Sequence, residues 1–320
     1  MSPFDNLLAT LDHDRQVVIQ AHDFPDHDAV GAAYALASLL GARGIQAVLS
    51  YGGAIQSDSL AEEIELLEIP IKSVSQAGID ADAQIVVVDG FVGNSNIAGL
   101  PGEVIGVIDH HVPPVPPSTP FHDIREDMGS CCTIVYQYVR DLQIDIDRSV
   151  ATALLVGLMM DTGFMTRGVS KYDIEAFSDL FFRGDWQAGT RLLKNSLSVR
   201  DLGLFREAIN GCVVAEDFGY VALTKECTQE AMALVADFFL GLRELSFVVV
   251  VEPDREEYRM SVRSEDPDRP ADVIIKLALE GIGTGGGHIH MGGGSVPRDL
   301  YPGEEGLRKR FMDAGARKRT

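Results

Sequence analysis

AHDFPDHDAVG, residues 21 to 31, follows the short apolar run Val17-Val18-Ile19 and leads into an alanine-rich amphipathic segment, so it is predicted to turn from a strand into a helix. Open α/β sheets carry their sites at such strand ends. Within seven residues the turn offers His22, Asp26 and Asp28 as candidate metal ligands, and Pro25 restricts the backbone just before the first carboxylate. Taken alone, the same residues also read as a helix N-cap with ordinary surface polar groups.

On either side of this turn, from Gln16 to about Asp109, short β-rich runs alternate with longer amphipathic ones. That is the pattern of βαβ units and a parallel sheet in an α/β fold. Strands are predicted at 17–22, 46–50, 84–89 and 104–108, and helices at 29–43 and 57–68. The unbroken run Ile85 to Val88 fits a strand buried on both faces. Two of these runs end in an acid: IVVVD at Asp89, and VIGVID at Asp109, which is followed at once by His110 and His111. The proline-rich segment 112–120 is predicted as an extended loop, because proline removes backbone donors.

Helices are expected near 130–142, 148–160 and 171–182, the second ending at Asp161-Thr162-Gly163. Residues 1–185 therefore read as one domain, 186–211 as a helical connector and 212–320 as a smaller mixed α+β domain. In the last, CVVAED, YVALT, FVVVVE and YRMSVRS read as strands, with helices near 228–240 and 271–280. The stretch GIGTGGGHIHMGGG, 281–294, has a periodicity that is neither helical nor alternating.

The chain has 320 residues and a formal net charge of −21, which repels long nucleic acid but leaves room for a small anionic substrate held through metal. A partner such as long duplex DNA is thereby disfavoured. The four cysteines, Cys131, Cys132, Cys212 and Cys227, show no zinc spacing and read as reduced thiols of a cytoplasmic protein. No apolar run approaches the roughly 18 residues of a membrane helix, and no leader pattern opens the chain. A homodimer is compatible with all of this.

Carboxylate oxygen and neutral imidazole hold hard or borderline divalent cations, and a pair of them needs a bridging carboxylate. His22, Asp26, Asp28, Asp89, His110 and Asp161 suffice for such a pair. Four aspartates balance two divalent ions, whereas without metal they would raise one another's pKa values.

The phrase His22-x-x-Pro25-Asp26-x-Asp28-Ala29, the acid at Asp89, the triplet Asp109-His110-His111, the phrase Gly157 to Thr162 and the late Gly285-Gly286-Gly287-His288 occur in an order that resembles the DHH phosphoesterase family with a DHHA1 C-terminal domain, the RecJ-like proteins. Within it, a chain of this length is most similar to NrnA-type oligoribonucleases and pAp phosphatases. The resemblance implies an active site in a cleft between the two domains and two divalent cations, Mn2+ or Mg2+, that activate water for attack on phosphorus. His22 and Asp26 would hold one ion, Asp28, His110 and Asp161 the other, and Asp89 would bridge them. His111 would face the phosphate and Asp109 would orient the histidine pair. Arg263, Gly286, Gly287 and His288 would hold the substrate end. His290, facing the same side as His288 if the segment is extended, would help or would serve structure alone. The implied substrates are very short oligonucleotides, pAp, or cyclic and linear dinucleotides, and a nucleotide-binding sensor without catalysis is the non-enzyme alternative. Inorganic pyrophosphatases share the metal motifs, but the basic SRKKQ-like signature is missing here. His27 stands where the family has a smaller residue and reads as a solvated bystander or a substrate contact, and Cys132 as a small buried side chain.

Overall fold

Val17–Ala21 (β1), Ala47–Tyr51 (β2), Ile71–Ser73 (β3), Gln84–Val88 (β4), Glu103–Asp109 (β5) and Phe121–Ile124 (β6) form one six-stranded sheet. In the computed structural model, which describes residues 2–93, 96–113, 115–194 and 197–318, every pairing in that sheet is parallel, in the order β3-β2-β1-β4-β5-β6. The direction of winding reverses between β1 and β4, so the turns that leave these two strands open a crevice at their carboxyl ends. The predicted turn and the predicted acid at Asp89 are those two exits.

The helices around this sheet are Pro3–Thr10 (α1), His27–Gly41 (α2), Asp58–Leu66 (α3), Val74–Ala77 (α4), Cys131–Leu142 (α5), Arg148–Asp161 (α6), Lys171–Arg183 (α7) and Trp186–Lys194 (α8). The faces of the sheet are covered unequally. Val17, Ile19, Ala21, Val86 and Val88 join the large core built with α2, α5 and α6, whereas Val18, Ile85, Val87 and Val107 meet a smaller cluster with Ile79, Phe91, Ile97 and Leu100. α1 starts at a capping box made by Ser2 and Asp5, with Pro3 at its first position, and buries Phe4 and Leu7. The run 112–120 is neither helix nor strand over its described residues, Pro114 lying outside them.

The chain divides into two compact units, Met1–Ser196 and Leu197–Thr320. The segment 186–211, expected as a connector, is shared between them. α8 buries Leu192 and Leu193 in the first core, while Asp201–Gly211 (α9) places Ala208 in a core of the second.

The second unit continues with Val213–Ala215 (β7), Phe218–Ala222 (β8), Gln229–Leu240 (α10), Phe247–Pro253 (β9), Glu257–Ser264 (β10), Ala271–Leu279 (α11), Thr284–Gly287 (β11), Met291–Pro297 (β12) and Gly303–Lys318 (α12). Its six strands form a mixed sheet in the order β11-β12-β10-β9-β8-β7, in which only β8 and β9 run parallel. The glycine-rich stretch, whose periodicity is neither helical nor alternating, is a hairpin of β11 and β12, with Gly285 opposite Gly294 and Gly286 opposite Gly293. Its two faces differ. A Cβ at Gly285 or Gly294 would stand 2.8 Å from Ile275 Cγ1 or Leu279 Cδ1, so glycine lets α11 lie directly on the hairpin backbone. At Gly286 and Gly293, on the opposite face, a Cβ would meet nothing closer than 3.9 Å. Among the described residues no helix is long and apolar enough to cross a membrane.

Candidate metal centre

His22 leaves β1 at its carboxyl end, and its Nε2 lies 3.6 Å from Asp89 Oδ2 and 3.8 Å from Asp26 Oδ2. Asp26 is the N-cap of α2: Oδ1 accepts from the backbone amides of Asp28 and Ala29, both at 3.0 Å, which leaves Oδ2 for the histidine side. Asp89 follows β4 with a left-handed backbone, φ +55°, and its amide donates to the Ile108 carbonyl at 2.9 Å. A non-glycine residue takes that conformation only where its surroundings impose it. Here it turns the carboxylate back over the strand ends.

His110 Nε2 lies 3.1 Å from Asp161 Oδ2, 3.5 Å from Asp89 Oδ1 and 4.0 Å from Asp28 Oδ2. Its Nδ1 donates to the Met128 carbonyl at 3.2 Å, which directs Nε2 at the acids. Asp109 was expected to orient both histidines. The structure corrects this: Asp109 Oδ1 accepts from the backbone N and ring Nδ1 of His111, at 3.0 and 2.8 Å, while Met128 holds His110. A sequence pattern of side chains gives no sign of a carbonyl contributed from 18 residues away.

Asp28 is fully buried, and its two oxygens accept from the amides of Cys131 and Cys132, at 2.6 and 2.8 Å, at the first turn of α5. The positive end of that helix thus fixes one carboxylate of the cluster. The loop before α5 is fixed in turn by buried Asp173, which accepts from Thr133 Oγ1 at 2.5 Å and from the Gly129 amide at 3.0 Å. Asp161 is the last residue of α6, which approaches α2 closely at Gly157 and Gly31. A Cβ at Gly157 would lie 2.5 Å from Cys132 Sγ and 2.9 Å from Asp28 Cα, and one at Gly31 would lie 2.7 Å from the Ala153 carbonyl. Cys132 fills the space these glycines leave, as a small buried group.

Among the described residues of the first unit, three groups of donor atoms converge: His22 with Asp26 and Asp89; Asp28 with Asp89 and His110; and Asp89 with Asp109 and His111. Asp89 belongs to all three. Donors that surround one small divalent cation at roughly 2.0–2.2 Å stand about 3 Å apart. The separations of 3.1 to 4.0 Å between imidazole nitrogen and carboxylate oxygen match that spacing, and the oxygen and nitrogen donors suit Mn2+ or Mg2+.

The electrostatics agree. Burial pushes Asp89 up, but His110, His111 and His22 outweigh it and hold the carboxyl well below its usual range. Burial pushes Asp28 well above that range, helped by the charges of Asp89 and Asp161, and Asp161 is also raised by burial. Burial works against protonated His22, yet Asp26, Asp89 and Asp161 lift it from 6.5 to about 9. His110 is raised well above its ordinary value in spite of burial, through Asp161 and Asp89. The cluster therefore attracts compact positive charge.

His27 is neither a solvated bystander nor a substrate contact. It is 1% exposed; Nδ1 meets Glu63 Oε2 at 2.5 Å and Nε2 meets Ser59 Oγ at 2.9 Å. It ties the start of α2 to α3.

In the second unit Arg263 lies on β10 across from Met291. Its Nε donates to Asp237 Oδ1 at 2.6 Å and its Nη1 to Ser261 Oγ at 3.0 Å, so the buried guanidinium is already fixed along one edge. His288 to His290 form the hairpin turn rather than an extended segment. The carbonyls of His288 and Ile289 accept from the amides of Asp272 and Ala271 at the start of α11, and His290 Nδ1 donates to the Ser264 carbonyl at 3.1 Å. Gly287 has φ +142°, a conformation open to glycine alone, and a Cβ there would stand 2.3 Å from the Met291 carbonyl.

Residues 16–158 match the model of the DHH family, N-terminal domain. An uncharacterized protein of Methanocaldococcus jannaschii is 28% identical over 302 residues, covering 93% of this chain and 62% of that protein. A probable manganese-dependent inorganic pyrophosphatase of Streptococcus thermophilus is 28% identical over 152 residues, 46% of this chain and 48% of that one. The chain thus spans less than two thirds of the length of these relatives. Among solved structures, an exopolyphosphatase-related protein from Bacteroides fragilis superposes with a TM-score of 0.77 at 21% identity, over 98% of this chain and 96% of that one. The exonuclease RecJ bound to manganese superposes with a TM-score of 0.52 at 16% identity, over 99% and 95% of the two chains. These likenesses establish the RecJ-like two-domain fold.

Proposed function

We propose that this chain is a metal-dependent phosphoesterase that hydrolyses very short oligonucleotides from an end to nucleoside monophosphates, and pAp to AMP. The observation that carries the reading is Asp89, whose carboxylate is shared by three converging donor groups, the arrangement a bridging ligand requires. His22 and Asp26 would hold one divalent cation and Asp28, His110 and Asp161 a second, with Asp89 between them. The manganese named for the pyrophosphatase relative and for the RecJ structure supports Mn2+. When bound, such ions lower the pKa of water and neutralise charge on a phosphoryl group.

His111, held through Nδ1 by Asp109, would present its remaining edge to the phosphate. In the second unit, Arg263, Gly286, Gly287, His288 and His290 would bind the substrate end. The open face at Gly286 lets backbone amides approach phosphate oxygens. Purified protein with Mn2+ should degrade labelled di- to pentanucleotides, and Asp89→Ala should lower kcat/KM by at least about 10^3-fold, the several kcal/mol that metal assistance supplies. Intact oligonucleotides, or an active Asp89→Ala enzyme, would refute the proposal. Inorganic pyrophosphate, pAp and cyclic or linear dinucleotides offered in the same assay rank the competing substrates. Tight nucleotide binding without turnover would instead support a sensor.

A further inference from the structure

Phe24 stands between the two ligand candidates of the opening turn, His22 and Asp26, yet its side chain is 48% exposed. The segment that carries it is held on both sides. The Asp23 amide donates to the Asn96 carbonyl at 2.7 Å, and Asp23 Oδ1 accepts from the Ala98 amide at 2.8 Å. On the other side the turn after β2 lies against the same backbone. A Cβ at Gly52 would stand 2.1 Å from Asp23 Oδ1, and one at Gly53, φ +49°, would stand 2.3 Å from the Asp23 carbonyl and 3.1 Å from Phe24 Cε1. Two adjacent glycines thus let the loop touch Asp23 and the edge of the Phe24 ring, while Pro25 fixes the chain on its far side.

The consequence is a phenyl ring with a fixed base and an open side, separated from Asp26 by one residue. Two peptide steps span at most about 7 Å. A phosphate held at the acid cluster carries its attached nucleoside within that reach. An isolated exposed apolar residue needs no explanation, but one pinned by two loops beside a candidate metal centre has both the position and the flat surface that a base requires.

We propose that Phe24 is a specificity-determining residue on which the nucleobase next to the scissile phosphate stacks. This rests on the phosphoesterase reading of the same centre and narrows its substrate class to base-bearing phosphates over sugar phosphates and inorganic ones.

The test compares wild-type protein with Phe24→Ala, Phe24→Leu and Phe24→Trp, each loaded with Mn2+. Readouts are KM for a dinucleotide and binding of AMP against ribose 5-phosphate, which lacks the base. Stacking measured by alanine substitution corresponds to about a 5- to 150-fold effect per base. Phe24→Ala and Phe24→Leu are therefore expected to weaken AMP binding and raise dinucleotide KM within that range, to leave ribose 5-phosphate within about twofold, and Phe24→Trp to retain tight AMP binding. Equal shifts for AMP and ribose 5-phosphate, or none for AMP, would overturn the proposal. A wild-type protein that binds AMP without cleaving dinucleotides would remove the phosphoesterase reading alone, because the binding comparison still decides Phe24.

Discussion

Asp109 Oδ1 accepts two hydrogen bonds from the same residue, His111: one from its backbone amide at 3.0 Å and one from its ring Nδ1 at 2.8 Å. The carboxylate is fully buried, while the imidazole is 35% exposed. A fixed acid thus sets the tautomer and orientation of a ring that faces outward. Asp109→Asn should lower kcat by roughly 10- to 100-fold, as loss of such orienting partners does. Since the two residues act as one unit, Asp109→Asn combined with His111→Asn should cost little more than His111→Asn alone. Additive losses in a double-mutant cycle would show that they act separately.

Asp89 combines a central carboxylate with backbone strain at φ +55°. Glycine relieves that strain and alanine does not, a difference of about 1 kcal/mol. Asp89→Gly and Asp89→Ala should both be inactive, with Asp89→Gly melting about 2–4 °C higher. Equal melting temperatures would remove strain from the account.

Metal and protons should compete at His22. Its folded-state pKa is raised from 6.5 to about 9, since Asp26, Asp89 and Asp161 outweigh the opposing effect of burial. The stability this adds to the metal-free protein is complete below pH 6.5 and is lost as pH climbs to about 9. A cation must displace that proton, so Mn2+ affinity should rise with pH across the same window. Calorimetry at pH 7 in buffers of differing ionisation enthalpy counts the protons released, and a count of zero would contradict the ligand role.

The two faces of the glycine hairpin should respond differently to a methyl group. At Gly294 it would stand 2.7 Å from the Thr284 carbonyl and 2.8 Å from Leu279 Cδ1, which costs about 1–3 kcal/mol. At Gly293 the nearest atom is 3.9 Å away, so Gly293→Ala should keep the wild-type melting temperature and raise KM for oligonucleotides. A comparable loss of stability at both positions would sink this division of labour.

The α/β fold was legible where apolar runs end in chemistry: β4 runs into Asp89 and β5 into Asp109 and the histidines, at the carboxyl ends where parallel sheets gather ligands. Short or mixed elements were not. β3 is three residues long, β6 is the edge strand FHDI with two polar residues, and α12 buries the apolar side chains of Leu307, Phe311 and Ala314 from a polar sequence. The hairpin β11–β12 escaped because glycine has no side chain with which to show a period of two. Within the site, the residues whose polar atoms converge could be named from their order, but their supports could not. The Cys131 and Cys132 amides lie 103 and 104 residues from Asp28, and pairing His27 with Glu63 depends on how α3 packs against α2.

The meeting of Gly31, Gly157 and the thiol of Cys132 is one small volume divided among three helices. Enlarging any one of the three positions takes room from the other two and shifts Asp28 against Asp161. Descendants of this chain can therefore change these positions only in concert. A lineage that exchanges Cys132 for a larger residue has no glycine left to trim, and must separate the helices together with the acids they carry.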